Sequence, residues 1–411
     1  MKILMAHNWY FVGGGADRVF FETMKLFEKH GHEVIPFSMK DKRNYDSIYN
    51  EYFVDEIDYS NIKFSFKNLK TAFKMIYSFE AKRKLDALIK KTKPDIAHLH
   101  NIYGRLTPSI LYALKKNNVL TVMTLHDYKL ICPAYDMTSN GKPCERCKGS
   151  RFYNAFMRKC VKDSYLASLV YAAESSVHSF LRTYVKNISY FIAPSLFLRN
   201  KMIEFGVLEK KIEYIPNFIN VNVDYSSNTK DDYFLYIGKL LHVKGVFTLL
   251  RAVKNIKKSH LYVAGYGELR SKLEDYAKKN NMNNVRFLGH LSSEEMFKVL
   301  NMAKFVVLPT ECYENAPLAV LEAFAYSKPV IGSNIGGIPE MVVNGETGLL
   351  FESGNVQGLR EKIDYLLSHP ERISEMGKKA RENIQKEYNP ELHYQRLMDL
   401  YKKVSKSKEF H

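Results

Sequence analysis

Two carboxylates eight positions apart, Glu314 and Glu322, flank the start of an apolar run from Leu318 to Tyr326. If that run is a helix, Glu314 stands just before its first turn and Glu322 about two turns in, so both can face one crevice at its N-terminal end. A carboxylate near a helix start is also an ordinary capping device, and Glu314 by itself fits that bland role. Glu322 fits it less well. A carboxylate on a buried apolar face needs hydrogen-bonding partners, and the hydroxyls of a ligand would supply them. Upstream, Gly238-Lys239-Leu240 is followed by Lys244-Gly245-Val246. Two lysines at a strand's carboxyl end could grip a diphosphate and neutralise its developing charge without a metal. Taken alone they would equally be solvated side chains. A third constellation, Gly13-Gly14-Gly15-Ala16-Asp17-Arg18, lies between the first apolar run and the first helical pattern. Glycines there let a backbone approach a ligand closely, and a helix start offers its free N–H groups to an anion. The alternative is a plain strand-to-helix turn, and the spacing is not the G-x-G-x-x-G of dinucleotide binders.

Four of the five cysteines crowd into one stretch, as Cys132, Cys144, Cys147 and Cys160. Four thiolates with one C-x2-C pair suit a tetrahedral structural zinc, which could fold a loop poor in apolar residues. Unmetallated thiols are the first alternative, disulfides or an iron–sulfur cluster the next. The same stretch is basic and aromatic, with Lys142, Arg146, Lys148, Arg151, Phe152, Tyr153, Phe156, Arg158, Lys159 and Lys162, and the run Tyr165 to Tyr184 is rich in Leu, Val, Tyr and Phe. Such a surface could seat on anionic lipid headgroups. Otherwise the aromatics pack inside and the charges form a solvated face.

Positioning these groups falls to elements that the apolar periodicity locates. Short β-rich runs alternate with longer helical patterns throughout the chain, the signature of βαβ units and parallel sheets. Strands are expected near Ile3–Ala6, Glu33–Phe37, Asp95–His98, Thr121–Leu125 and Tyr190–Ala193, with helices near Ala16–Lys29 and Ser78–Lys91. In the second half they fall near Phe234–Ile237, His260–Ala264, Val285–Leu288, Phe305–Leu308, Val330–Gly332 and Leu349–Phe351. The expected fold is therefore α/β, with two doubly wound Rossmann-like domains over residues 1–193 and 194–387 and a polar linker around Ser226–Lys230. A closing helix over 388–411 is expected to pack back on the first domain, and residues 128–186 break the rhythm as a cysteine-containing insertion.

The 411 residues are 46% hydrophobic and 26% charged, which suits ordinary globular domains and excludes disordered, collagen-like and disulfide-scaffold classes. Lys and Arg number 61 against 44 Asp and Glu, a net charge of +17 that asks for an anionic partner without choosing among them. No helix-turn-helix, zinc-finger His pair or RNP-like motif supports nucleic acid. The first residues turn polar too early for a secretory signal, and the expectation is a cytoplasmic protein, working at the inner face of the plasma membrane if the basic aromatic stretch seats there.

Taken in chain order, the three constellations resemble the retaining nucleotide-sugar glycosyltransferases of family 4, which adopt the GT-B fold, two Rossmann-like domains facing across a crevice. The resemblance covers nearly the whole chain. It includes Gly14-Gly15-Ala16-Asp17-Arg18, Thr124-Leu125-His126-Asp127, Ile215-Pro216-Asn217, Gly238-Lys239 with Lys244-Gly245, Gly265-Tyr266-Gly267, Phe287-Leu288-Gly289, Glu314 to Glu322, and Gly336-Gly337-Ile338-Pro339-Glu340. It implies that Glu322 holds the ribose hydroxyls of a nucleotide-diphosphate sugar and Glu314 the hydroxyls of the transferred sugar. Lys239, Lys244, Gly238 and the N–H groups of Gly14, Gly15, Leu318 and Ala319 would meet the diphosphate, Leu288 and Gly289 the base, and His126 the donor sugar near the reacting carbon. It further implies transfer with retention, no catalytic metal or other cofactor, and a saccharide or lipid-linked saccharide acceptor in polysaccharide or glycoconjugate synthesis.

Two positions depart from the family pattern. Lys239 stands where Arg is usual, keeping the charge but losing the bidentate fork. Asn315-Ala316-Pro317 follows Glu314 in place of Gly-Phe-Gly, and Pro317 has no N–H to give a phosphate. An epimerase or hydrolase on the same fold is the alternative function, and it would alter a nucleotide sugar with no acceptor present.

Overall fold

The computed structural model describes residues 1–56, 74–220 and 232–406, so the linker stretch Ser226–Lys230 lies outside the described residues. Two compact units emerge. The first comprises Met1–Met137, Glu145–Pro216 and the chain from His393 on; the second comprises Thr138–Cys144 and Asn217–Leu392.

The first unit is built on strands β1 (Lys2–Ala6), β2 (Glu33–Phe37), β3 (Ile96–Leu99) and β4 (Leu120–Thr124). After a two-stranded hairpin of β5 (Thr138–Ser139) and β6 (Lys142–Pro143) in the chain come β7 (Tyr190–Ala193) and β8 (Ile212–Tyr214). Their order is β2-β1-β3-β4-β7-β8, and each pairing is parallel. Parallel strands covered on both faces should read as continuous apolar runs, and Ile3, Leu4, Met5 and Ala6 of β1 are all fully buried. The short β8, which has no alternating apolar signature of its own, carries the unit past residue 193 to Pro216. On one face the helix Gly15–Lys29 packs Phe20, Phe21, Met24 and Phe27 into a core that also takes Leu397, Leu400, Tyr401 and Val404 of the last helix, Pro390–Lys406. That helix thus closes the first unit's core, its apolar face set by helical spacing.

The second unit holds β9 (Tyr233–Ile237), β10 (His260–Ala264), β11 (Val285–Gly289), β12 (Val306–Leu308), β13 (Val330–Ser333) and β14 (Gly348–Phe351), in the order β11-β10-β9-β12-β13-β14. Its pairings too are parallel, with one register shift between β10 and β11 at Val263/Ala264. The strand order reverses at β9 and β12, the switch point of a doubly wound sheet, where loops diverge and leave room for a ligand. Both units are therefore Rossmann-like, and every strand expected from the apolar runs is present.

Candidate functional site

In the second unit, four loops at the carboxyl ends of the strands are laced into one platform. Gly238 follows β9, and its N–H reaches Ala264 O (3.1 Å) while Leu240 N–H reaches Tyr266 O (2.8 Å). A Cβ on Gly265 would lie 1.8 Å from Gly238 O, so only glycine lets these loops touch. Gly265 N–H in turn donates to Gly289 O (2.8 Å), which ties in the end of β11, where Leu288 is half-buried. Below Lys239, the buried Tyr236 hydroxyl donates to the Lys239 carbonyl at 2.9 Å. Burial, then the nearby Glu314 charge, pushes that phenol's pKa up, so it stays a proton donor. The Lys239 ammonium itself is exposed.

Lys244 closes a short turn, His242–Lys244, and Gly245 then starts the helix Val246–Val253 with φ +66°. A Cβ at Gly245 would fall 1.7 Å from Pro309 O, so this turn is glycine-dependent on two counts. The turn is stitched to the loop after β12, since Glu311 N–H donates to Val243 O (2.8 Å) and the Thr248 hydroxyl donates to Glu311 Oε1 (2.5 Å). The result brings together two residues seventy positions apart: Lys244 Nζ lies 2.5 Å from Glu314 Oε1. Glu314 is held from the other side by Gly336-Gly337, whose turn donates Gly337 N–H to Glu314 O (2.8 Å); a Cβ on Gly336 would lie 2.4 Å from that oxygen.

The helix Leu318–Ala325 follows, with extended Pro317 as its cap. Its first-turn N–H groups, at Leu318 and Ala319, have no acceptor within the helix and are oriented toward its N-terminal end. Pro317 leaves those two donors intact while supplying none itself. Glu322, one turn on, is 8% exposed in an otherwise apolar helix. The strand-end platform thus carries a cation pair (Lys239, Lys244), a paired carboxylate (Glu314), a buried carboxylate (Glu322) and free helix-start donors, a set suited to a diphosphate with hydroxylated groups on either side.

In the first unit, Gly14 caps the helix that begins at Gly15. Asp17 of the first turn accepts from Gly13 N–H (2.9 Å) and lies 2.6 Å from His7 Nε2 at the end of β1. Burial alone would raise the Asp17 carboxyl; its hydrogen bond and charge interaction with His7, and the backbone N–H groups of Gly13 and Gly14, outweigh that and hold it below the usual carboxylate range. The glycine loop is therefore braced by a buried hydrogen bond between His7 and Asp17. His126, after β4, places Nε2 2.7 Å from His100 Nδ1, and the rings stack at 5.0 Å. His100 stacks on His98 at 4.6 Å, and His98 is fixed by Thr124 Oγ1 and the Tyr401 hydroxyl, each at 2.7 Å. Burial pushes His98 and His126 down to about 3, so both rings are neutral at physiological pH. A neutral His126 is a hydrogen-bonding wall and not a proton donor. Asp127 beside it is raised to about 6 by burial, against the backbone N–H and charge of Lys129.

His7, His98 and His100 were not among the residues expected from sequence. The spacing His98-x-His100 along a strand puts both on one face, which is the signal that would have found those two.

The cysteines do not form the expected zinc ligand set. Among the described residues no group of three or more His, Cys, Asp or Glu is placed to hold a metal ion. Cys132 is buried and its thiol is pushed up to about 11, chiefly by that burial, which keeps it protonated. Cys147 and Cys160 pack against the small cluster of Phe152, Ala155 and Ala172, while Cys144 belongs to the segment grouped with the second unit. Apolar packing, rather than ligation, accounts for Cys147 and Cys160.

Comparison with known proteins bears on the family and the fold. The family description Glycosyltransferase Family 4 matches residues 13–223, and Glycosyl transferases group 1 matches residues 220–383. A curated relative, an uncharacterised glycosyltransferase of Methanocaldococcus jannaschii, is 30% identical over 203 residues, 49% of this chain and 56% of that protein. The chain thus spans about half the length of that relative. A glycosyltransferase from Rickettsia africae has the same fold, with a TM-score of 0.70 at 20% identity over 98% of both chains. So has the Anabaena protein HepE, solved in complex with UDP and glucose, with a TM-score of 0.68 at 14% identity over 97% of this chain and 99% of that one.

Proposed function

Because this chain belongs to the family 4 glycosyltransferases of the GT-B fold, we propose that it transfers a sugar from a nucleotide-diphosphate sugar to a saccharide or lipid-linked saccharide acceptor, with retention at the anomeric carbon. The observation that carries this reading is the 2.5 Å Lys244–Glu314 contact beside Lys239 and buried Glu322. In it, Glu322 binds the ribose hydroxyls, Glu314 the hydroxyls of the transferred sugar, and Leu288 and Gly289 the base. Lys239, Lys244, the Gly238 loop and the N–H groups of Leu318 and Ala319 hold the diphosphate.

As the glycosidic C–O bond breaks, negative charge grows on the leaving diphosphate, and fixed cations and N–H dipoles stabilise it more than they stabilise the ground state. Two lysines supply charge that a divalent cation would otherwise bring, so the chemistry needs no metal. The acceptor hydroxyl attacks the oxocarbenium-like carbon from the face the diphosphate leaves, and the departing phosphate oxygen takes its proton. Lys244 is paired with Glu314 before the donor arrives, which keeps both side chains ordered. HepE binds UDP, and UDP sugars are accordingly the first donors to try. The setting is polysaccharide or glycoconjugate assembly at the cytoplasmic face of a membrane.

The test is release of nucleoside diphosphate from UDP-, GDP- and ADP-sugars with and without oligosaccharide acceptors, with the product's anomeric configuration read by NMR. Acceptor-dependent release with unchanged configuration is expected. Release equally fast without acceptor would make the protein a hydrolase or epimerase, and inversion would refute the proposed stereochemistry.

A further inference from the structure

The helix Tyr165–Phe180 of the first unit is turned inside out. Its buried side carries Ser168, Glu174, Ser175 and His178 along with Ala172, while its exposed side carries Tyr165, Leu169 and Val177 and ends on Phe180, 88% exposed, followed by exposed Leu181. An amphipathic helix packed for stability alone would show the opposite arrangement.

The rotation that produces this is fixed from within. Lys129 Nζ lies 2.6 Å from Glu174 Oε2 and 3.1 Å from Ser175 Oγ, both partners almost wholly buried, and its ammonium sits between the rings of Tyr135 (4.9 Å) and Tyr171 (5.2 Å). His178 donates from Nε2 to Ile76 O (3.1 Å) and meets Thr183 Oγ1 through Nδ1 (3.2 Å), and Ser168 Oγ accepts from Val161 N–H (3.0 Å). Turning the helix to bury Leu169 and Phe180 would strand a buried charge, which is strongly unfavourable. The apolar stripe is therefore held outward.

Its surroundings identify what it meets. The short helix Tyr153–Met157 adds exposed Tyr153 and Met157, and Phe156 reaches Tyr165 at 5.4 Å between rings. Lys159 Nζ lies 4.7 Å over the Tyr165 ring, so basic side chains adjoin the stripe directly. Residues 146–186 hold eight Lys and Arg against two acids, of which Glu174 is buried, leaving Asp163 as the exposed one. A second copy of the chain docking through a two-fold axis would set this basic rim against itself. An anionic bilayer satisfies both halves, taking the apolar stripe among acyl chains and the cations at the headgroups.

We propose that the outward face of Tyr165–Leu181, with Tyr153 and Met157, docks the enzyme on an anionic lipid surface by lying in the interface plane. The proposal rests on the reading that the acceptor is assembled at a membrane, and its test is independent of catalysis. Sedimentation with phosphatidylglycerol/phosphatidylcholine vesicles, against phosphatidylcholine alone, is measured for the full chain, for the Leu169→Ser/Val177→Ser/Phe180→Ser variant, and for Arg158→Gln/Lys159→Gln/Lys162→Gln. The full chain is expected to bind the anionic vesicles at least about tenfold more tightly, and each triple variant to lose about tenfold while its thermal midpoint and nucleotide-induced stabilisation stay unchanged. No binding to anionic vesicles, or equal binding by the apolar triple variant, would overturn the proposal. So would a dimer, seen by light scattering, that the apolar substitutions dissolve, since the face would then belong to a second copy. Failure of the glycosyltransferase reading would show separately, as absence of any nucleotide-induced stabilisation.

Discussion

At the scale of single residues, the site's chemistry is divided between groups that carry charge and groups that place them. Lys239 is exposed and its backbone is pinned by Tyr236; Lys239→Ala should lower kcat/KM by about 10²–10³ with little change in thermal midpoint, as expected for a group that stabilises developing charge. Lys239→Arg, which restores the family's usual cation, should recover most of the loss, and steady-state kinetics decide both. Glu322→Gln keeps the volume of a buried side chain and removes its charge, so nucleotide affinity measured by calorimetry should fall about tenfold or more. Unchanged affinity would remove Glu322 from the ribose site. The burial of Glu322 could be anticipated from the apolar run around it. The Lys244–Glu314 pair could not, because it joins two strand-end loops whose meeting depends on the order β9-β12 in the sheet.

At the scale of elements, turns and packed helices decide whether those residues meet. Gly245→Ala forces a Cβ onto Pro309 O in a left-handed turn, and should cost about 2–5 kcal/mol while moving Lys244 off Glu314; denaturant unfolding and nucleotide binding should both suffer. In the first unit the histidine cluster gives stability a pH dependence. His98 and His126 titrate near 3 and His393 near 4, each lowered first by burial. The unfolded chain, with histidines near the ordinary value of about 6.5, binds more protons between pH 6.5 and 4, so stability is lost as pH falls through that window, by about 1.4 kcal/mol per pH unit per histidine. His98→Gln should flatten that slope in thermal unfolding by one histidine's share, and an unaltered slope would contradict this account. Strands and helices of this unit were legible because continuous apolar runs and 3.6-residue spacing are local signals. The cluster was not, because its members come from β1, β3, β4 and the last helix. The cysteine spacing misled for a related reason: C-x2-C describes neighbours in the chain, while ligation needs four thiols in one place, and here burial against Phe152 and Ala155 claims two of them.

At the scale of the whole molecule, the sequence's alternation of strands and helices was sufficient for two doubly wound units, since parallel sheets follow from pattern and connection rules. The net charge of +17 was uninformative until the structure located it. Part of it lies at the strand ends of the second unit beside carboxylates, and part rims an apolar helix face in the first. No helix among the described residues is long and apolar enough to cross a membrane. The central claim, a metal-independent nucleotide-sugar site on the second unit, is tested most directly by thermal shift with UDP, GDP, ADP and their common sugars, on wild type and Glu322→Ala, with and without EDTA. Stabilisation by one nucleoside diphosphate that persists in EDTA and disappears in the variant is the predicted result. Absence of stabilisation by every nucleotide, on protein shown to be folded, would contradict the account.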